Sequence, residues 1–214
     1  MITYPDNVTC LADYIESVMQ RFADRPAYTA LGQTLTFAEI DSKSSALARY
    51  FVHEAKLTPG TRVAIQLPNL IQNPIVVYAA LRAGLVVVNT NPLYTEREMK
   101  HQFTDSGAKA LVILGDLLPK FTSIKNDTSI NTVITTSATE LLDPNTAPAL
   151  DGTVSLSQAV EIGKGLPQFE RPKIQLDDLA MLQYTGGTTG VSKGAALSNK
   201  NVLANCIQML DRIG

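Results

Sequence analysis

The chain has 214 residues, 45% of them hydrophobic and 18% charged, which is ordinary soluble-domain usage and excludes a disordered, collagen-like or coiled-coil polypeptide. Eighteen Lys and Arg against twenty Asp and Glu leave a net charge of -2 with no run of either sign. The clustered basic face that a phosphate backbone demands is missing, so nucleic acid is not expected as a partner.

A chain of this size buries roughly 70% of its surface on folding, enough for a core without staples. Cys10 and Cys206 stand near opposite ends, outside any CxxC spacing, and read as reduced thiols. Asp6, Asp13 and Glu16 occupy the place where a secretory signal would be positively charged, so export is not expected. The most apolar run, residues 75–88, is broken by Arg82 and Gly84 and falls short of the roughly 20 residues that cross a bilayer, so integral insertion is not expected either.

Thr9 followed by Leu11, Ile15, Val18, Met19 and Phe22 at helical spacing predicts a first helix over 10–22 with Thr9 as its N-cap. Residues 27–31 and 34–37 flank Gly32-Gln33, a two-residue hairpin signal. Thr36 with Glu39 forms a capping box that opens a long helix carrying Ile40, Leu47, Ala48 and Phe51 on one face. Pro59-Gly60 breaks the chain before a strand over 62–67; Pro74 then suits a helix N1 position, and Gly84 suits its left-handed cap. A short β-branched strand at 86–88 precedes a second capping box, Thr95 with Glu98, and a helix to Ser106.

Residues 110–114 read as a buried strand, 117–124 as a helix and 132–135 as a strand. The stretch 137–152 turns to Thr, Ala, Pro, Asn and Asp and reads as a surface loop; Ser155 with Gln158 caps one more helix, and 165–175 is extended. The last segment reads as a strand over 179–184, a Gly/Thr loop, a short strand near 195–197 and a helix over 200–212. Alternation of strands and helices predicts an α/β fold with a parallel sheet flanked by helices. The expected organisation is an α/β subdomain over 1–164, a linker over 165–178, and the start of a second subdomain over 179–214.

YTGGTTGVSKGA, from Tyr184 to Ala195, is the segment that carries chemistry. Gly186, Gly187, Gly190 and Gly194 lift the steric bar on positive φ, letting successive backbone N–H groups converge on one anion. Thr185, Thr188 and Thr189 add hydroxyls and Lys193 a mobile positive charge, completing the parts of a polyphosphate cradle. The Walker A pattern fails, because counting from Gly187 puts Ser192 at the second glycine and Gly194 at the magnesium-binding hydroxyl. The dinucleotide pattern GxGxxG fails too, since Gly186 and Gly187 are adjacent. A glycine hinge beside an exposed lysine is the plain structural alternative.

This loop resembles that of the adenylate-forming superfamily of acyl-CoA synthetases, [YF]TSG[ST]TGxPKG. Tyr184, Thr185, Gly187, Thr188, Thr189, Gly190, Lys193 and Gly194 match it, while Gly186 stands for Ser and Ser192 for Pro. The resemblance extends to LTFAEIDSKSSALA (35–48), RVAIQLPN (62–69) and the stretch 79–112; VNTNPLYT together with YTGGTTG is most similar to bacterial long-chain fatty acid–CoA ligases.

The resemblance implies that a fatty carboxylate attacks ATP to give an acyl adenylate and diphosphate, after which coenzyme A takes the acyl group and AMP leaves. It implies ATP, Mg2+ and coenzyme A as co-substrates and cofactor, and a fatty acid as the acyl donor. Phosphate contact would fall to Tyr184, Thr185, Gly186, Gly187, Thr188, Thr189, Gly190, Lys193 and Gly194, with Thr185 and Lys193 catalytic and no metal ligand in this chain. Family members are longer, so the chain is expected to be an N-terminal portion, inactive alone and prone to self-association through uncovered apolar surface. A cytoplasmic location, with peripheral contact at the inner membrane face, is the corresponding expectation. A ligase for another acid, aryl or medium-chain, and a non-catalytic binding module are the alternatives. His53, His101 and Tyr94 read as structural, and Asp177-Asp178 as a helix cap rather than a cation site.

Overall fold

In the computed structural model, residues 8–185 and 192–213 are described. α1 (Leu11–Arg21) leads through a hairpin, β1 (Pro26–Ala30) and β2 (Gln33–Thr36), into α2 (Phe37–His53). β3 (Arg62–Gln66), α3 (Gln72–Arg82), β4 (Val86–Asn89), α4 (Glu96–Ser106), β5 (Ala110–Leu114), α5 (Leu118–Ile124) and β6 (Thr132–Thr136) then alternate. β7 (Val154–Ser155), α6 (Leu156–Gly165), β8 (Leu179–Thr185), β9 (Lys193–Ser198) and α7 (Asn199–Ile213) complete the chain. The seven-stranded sheet has the order β7-β6-β5-β3-β4-β8-β9. Its neighbours run parallel from β7 to β8, and β9 returns antiparallel at the edge. The expected α/β class, a helix-flanked parallel sheet, is the one observed.

The central strands are buried on both faces, which is why VAIQ, VVV and ALVI carry no polar alternation. Val63, Ile65, Val87 and Val112 face a core shared with α2, α3 and α6; Ala64, Val88, Leu111 and Ile113 face the other side, against Met99 and Phe103 of α4 and Phe121 of α5. α6 lies so close to α2 that a Cβ on Gly163 would stand 2.0 Å from the carbonyl oxygen of Ala46. Arg82 binds Glu16 at 2.9 Å and also Asp41, while Arg171 reaches Asp13 at 2.9 Å and Glu16 at 3.0 Å, stitching α1 to α2, α3 and the extended 166–178 segment. Among the described residues no helix is long and apolar enough to cross a membrane.

Three local expectations shift. α1 starts one residue later than expected with Cys10 at its N-cap, because the Asp13 carboxylate draws in the amides of both Thr9 (2.8 Å) and Cys10 (3.1 Å). The hairpin turns at Leu31-Gly32, not Gly32-Gln33; both residues have positive φ, 52° and 80°, the pair of angles whose twist matches the flanking strands. α3 begins at Gln72, which puts Pro74 third in the helix, still within the first turn where its missing N–H leaves no bond unmade. The Thr36, Thr95 and Ser155 capping boxes form as expected.

Candidate functional site

α3, which joins the neighbouring strands β3 and β4, lies on one face of the sheet, and α4, which crosses over β3 from β4 to β5, lies on the other. The chain therefore leaves the carboxyl ends of β3 and β4 in opposite directions, opening the crevice in which open α/β sheets take up ligands. A groove of about 1500 Å3 occupies that place. It is walled by residues 67–69 after β3, 89–95 after β4, Arg97, Glu98 and His101 of α4, Gln183 and Tyr184 of β8, and Ser192. A second cavity of about 550 Å3 lies between β1 and the start of α3, where the hydroxyls of Tyr28 and Tyr78 meet at 2.5 Å.

Two fully buried glutamines hold the 89–95 rim. Gln66, the last residue of β3, donates to the Asn91 carbonyl at 3.2 Å, and Gln102 of α4 donates to the Asn89 carbonyl at 2.9 Å. The Thr90 amide donates to the Ile65 carbonyl at 3.0 Å, and the Asn91 side chain accepts from the Leu93 amide at 2.9 Å, leaving Leu93 85% exposed at the tip. Sequence reasoning missed both glutamines. Their signal is a polar residue at a position where strand and helix patterns call for an apolar one.

The β8–β9 hairpin forms the opposite wall. Tyr184 is buried and its hydroxyl donates to Asp105 of α4 at 2.5 Å; burial first, then the bond to that carboxylate, pushes the phenol well above its ordinary pKa. Gly194 is the register partner of Tyr184 and has no positive φ, which corrects the expectation for this glycine. A Cβ there would stand 2.9 Å from the Tyr184 ring, so Gly194 serves close approach rather than backbone freedom. Thr185 and Lys193 are paired in register, both exposed, and directly adjoin the groove-lining Tyr184 and Ser192. Gly186, Gly187, Thr188, Thr189 and Gly190 lie outside the described residues.

His101, read as structural from sequence, reaches across to the hairpin: its Nε2 is 2.8 Å from the Ser192 carbonyl oxygen. Tyr94 packs beside Tyr184 in the core under α4. His53 stacks edge-on against Phe169. Asp178 caps the turn at the Gln175 amide at 2.8 Å, and Asp177 pairs loosely with Lys200 at 3.8 Å. Among the described residues no three His, Cys, Asp or Glu side chains gather as a metal site. Both cysteines are free, and burial pushes the Cys10 thiol up, away from reactivity.

Long-chain-fatty-acid–CoA ligases of Escherichia coli and Haemophilus influenzae are 38% and 39% identical to this chain over 96% and 92% of its length. Those alignments take in 39% and 38% of the relatives, so the chain spans about two fifths of their length. A solved structure of a long-chain-fatty-acid-CoA ligase from Archaeoglobus fulgidus superposes with a TM-score of 0.79 at 27% identity, covering 97% of this chain and 40% of that one. The family model described as AMP-binding enzyme matches residues 15–213, nearly the whole chain, and the chain belongs to the AMP-binding enzyme family.

Proposed function

We propose that this chain is the phosphate-gripping part of an ATP-dependent long-chain fatty acid–CoA ligase, which takes a fatty acid, ATP and coenzyme A to acyl-CoA, AMP and diphosphate through an acyl adenylate. The observation that carries the reading is the position of Thr185 and Lys193, paired across the hairpin stem beside the crevice. An anionic carboxylate approaching a polyphosphate meets strong repulsion, and a fixed hydroxyl with a nearby ammonium group offsets it as charge spreads onto the leaving diphosphate. Tyr184 and Gly194 hold that stem, and the amides of Gly186, Gly187, Thr188, Thr189 and Gly190 supply the remaining donors of the cradle.

In this reading residues 1–164 form a first subdomain, 165–178 a linker and 179–214 the beginning of a second that shares the sheet. Magnesium accompanies the triphosphate. The co-substrates place the reaction in the cytoplasm, and a bilayer-partitioning acid favours contact with the inner membrane face. Catalysis requires both reactants to be held at once, and a chain spanning about two fifths of its relatives' length is expected to bind phosphate without completing turnover by itself. Met209 and Leu210 of α7, 55% and 56% exposed, are the apolar surface on which it self-associates.

Titration of inorganic pyrophosphate and ATP against the purified chain tests the assignment. Binding is expected, with Lys193→Ala weakening it by about tenfold or more; equal affinity in the variant removes Lys193 from the site. In a longer protein containing this chain, diphosphate release from ATP with oleate and coenzyme A is the matching measurement.

A further inference from the structure

α4 touches both stems of the hairpin through two residues one helical turn apart. Asp105 accepts from the Tyr184 hydroxyl on the incoming strand, and His101 contacts the Ser192 carbonyl just before Lys193 on the returning one. The two contacts differ in redundancy. Tyr184 is also fixed by burial and by the absence of a Cβ on Gly194 above its ring. Ser192 precedes the first ladder residue of β9, and among the described residues the His101 imidazole is the side chain that reaches its backbone.

We propose that His101 is a positioning residue for the phosphate site, setting the returning stem so that the Lys193 ammonium stands at a fixed place opposite Thr185. The inference rests on the phosphate-binding reading above. The Ser192 carbonyl can only accept, so Nε2 must carry the proton. Both the neutral Nε2–H tautomer and the imidazolium meet that need, and a glutamine amide at the same position reaches the same acceptor. The residue touches neither phosphate nor acyl group; it acts through the backbone of Ser192 on the next side chain.

His101→Ala, the larger non-donor His101→Leu and the donor-retaining His101→Gln, each in the 214-residue chain, test this. The readouts are hydrogen exchange at the Lys193 and Gly194 amides, pyrophosphate affinity and melting temperature. Both non-donor variants are expected to speed exchange at those two amides and to weaken pyrophosphate binding about five- to tenfold, with melting within about 4 °C of the parent and His101→Gln restoring most of the affinity. Undiminished pyrophosphate affinity in a folded non-donor variant overturns the proposal, as does an equal loss in His101→Gln. A parent chain that binds no pyrophosphate overturns the phosphate-site reading itself and this inference with it.

Discussion

Across the crevice, the 89–95 rim hangs from two parallel strands in the middle of the sheet, whereas the β8–β9 hairpin hangs from its edge and leans on α4. The rim is gripped from beneath by amides of two fully buried side chains, Gln66 and Gln102. The hairpin is gripped from one side, through a phenol and an imidazole, and its exposed tips are the groups assigned to chemistry. A wall that only shapes a site can be built into the core; if the hairpin grips phosphate as proposed, its ammonium and hydroxyl have to stay in water until the ligand arrives. The cost of that exposure is that few contacts define the geometry.

The sharpest way to break this contrast is to charge the buried rim. Gln66→Glu replaces a donor to the Asn91 carbonyl with a carboxylate in a fully buried place, and is expected to cost about 3 to 5 kcal/mol at neutral pH and to lower the melting temperature by roughly 10 °C. Burial raises the new carboxyl's pKa above its unfolded value, so the deficit should narrow as pH falls and the protonated form regains a donor. A variant that melts like the parent at pH 7 would mean the rim is not held from the core.

Gly194→Ala comes next. Its Cβ would meet the Tyr184 ring at 2.9 Å, and displacing the ring should cost about 2 kcal/mol while weakening pyrophosphate binding. Loss of stability with binding intact would separate Tyr184 from the phosphate site.

Tyr184→Phe is the mildest, keeping the ring under Gly194 and removing only the bond to Asp105, for about 1 kcal/mol in urea denaturation. Its pH dependence has a definite sign. The phenol's folded-state pKa is raised, so its contribution is full below the unfolded value near 10 and fades as pH rises above it; the gap between parent and variant should close in alkali. A gap that stays constant to pH 11 would argue against the Asp105 bond.

Much of this molecule was legible along the chain because its signals are local. The Thr36, Thr95 and Ser155 capping boxes each pair residues three apart, and the buried strands announce themselves as unbroken apolar runs. Neighbouring backbone groups decide such features, so neighbouring residues encode them. Tertiary structure alone decided the rest. The hairpin turn moved by one residue to take the pair of positive φ angles that strand twist favours, and Gly194 proved to be a space left for Tyr184. Gln66 and Gln102 became supports only when the chain doubled back over them. His101 meets Ser192 across 91 residues of sequence, a contact that exists because α4 and β9 are brought together by a sheet neither of them specifies.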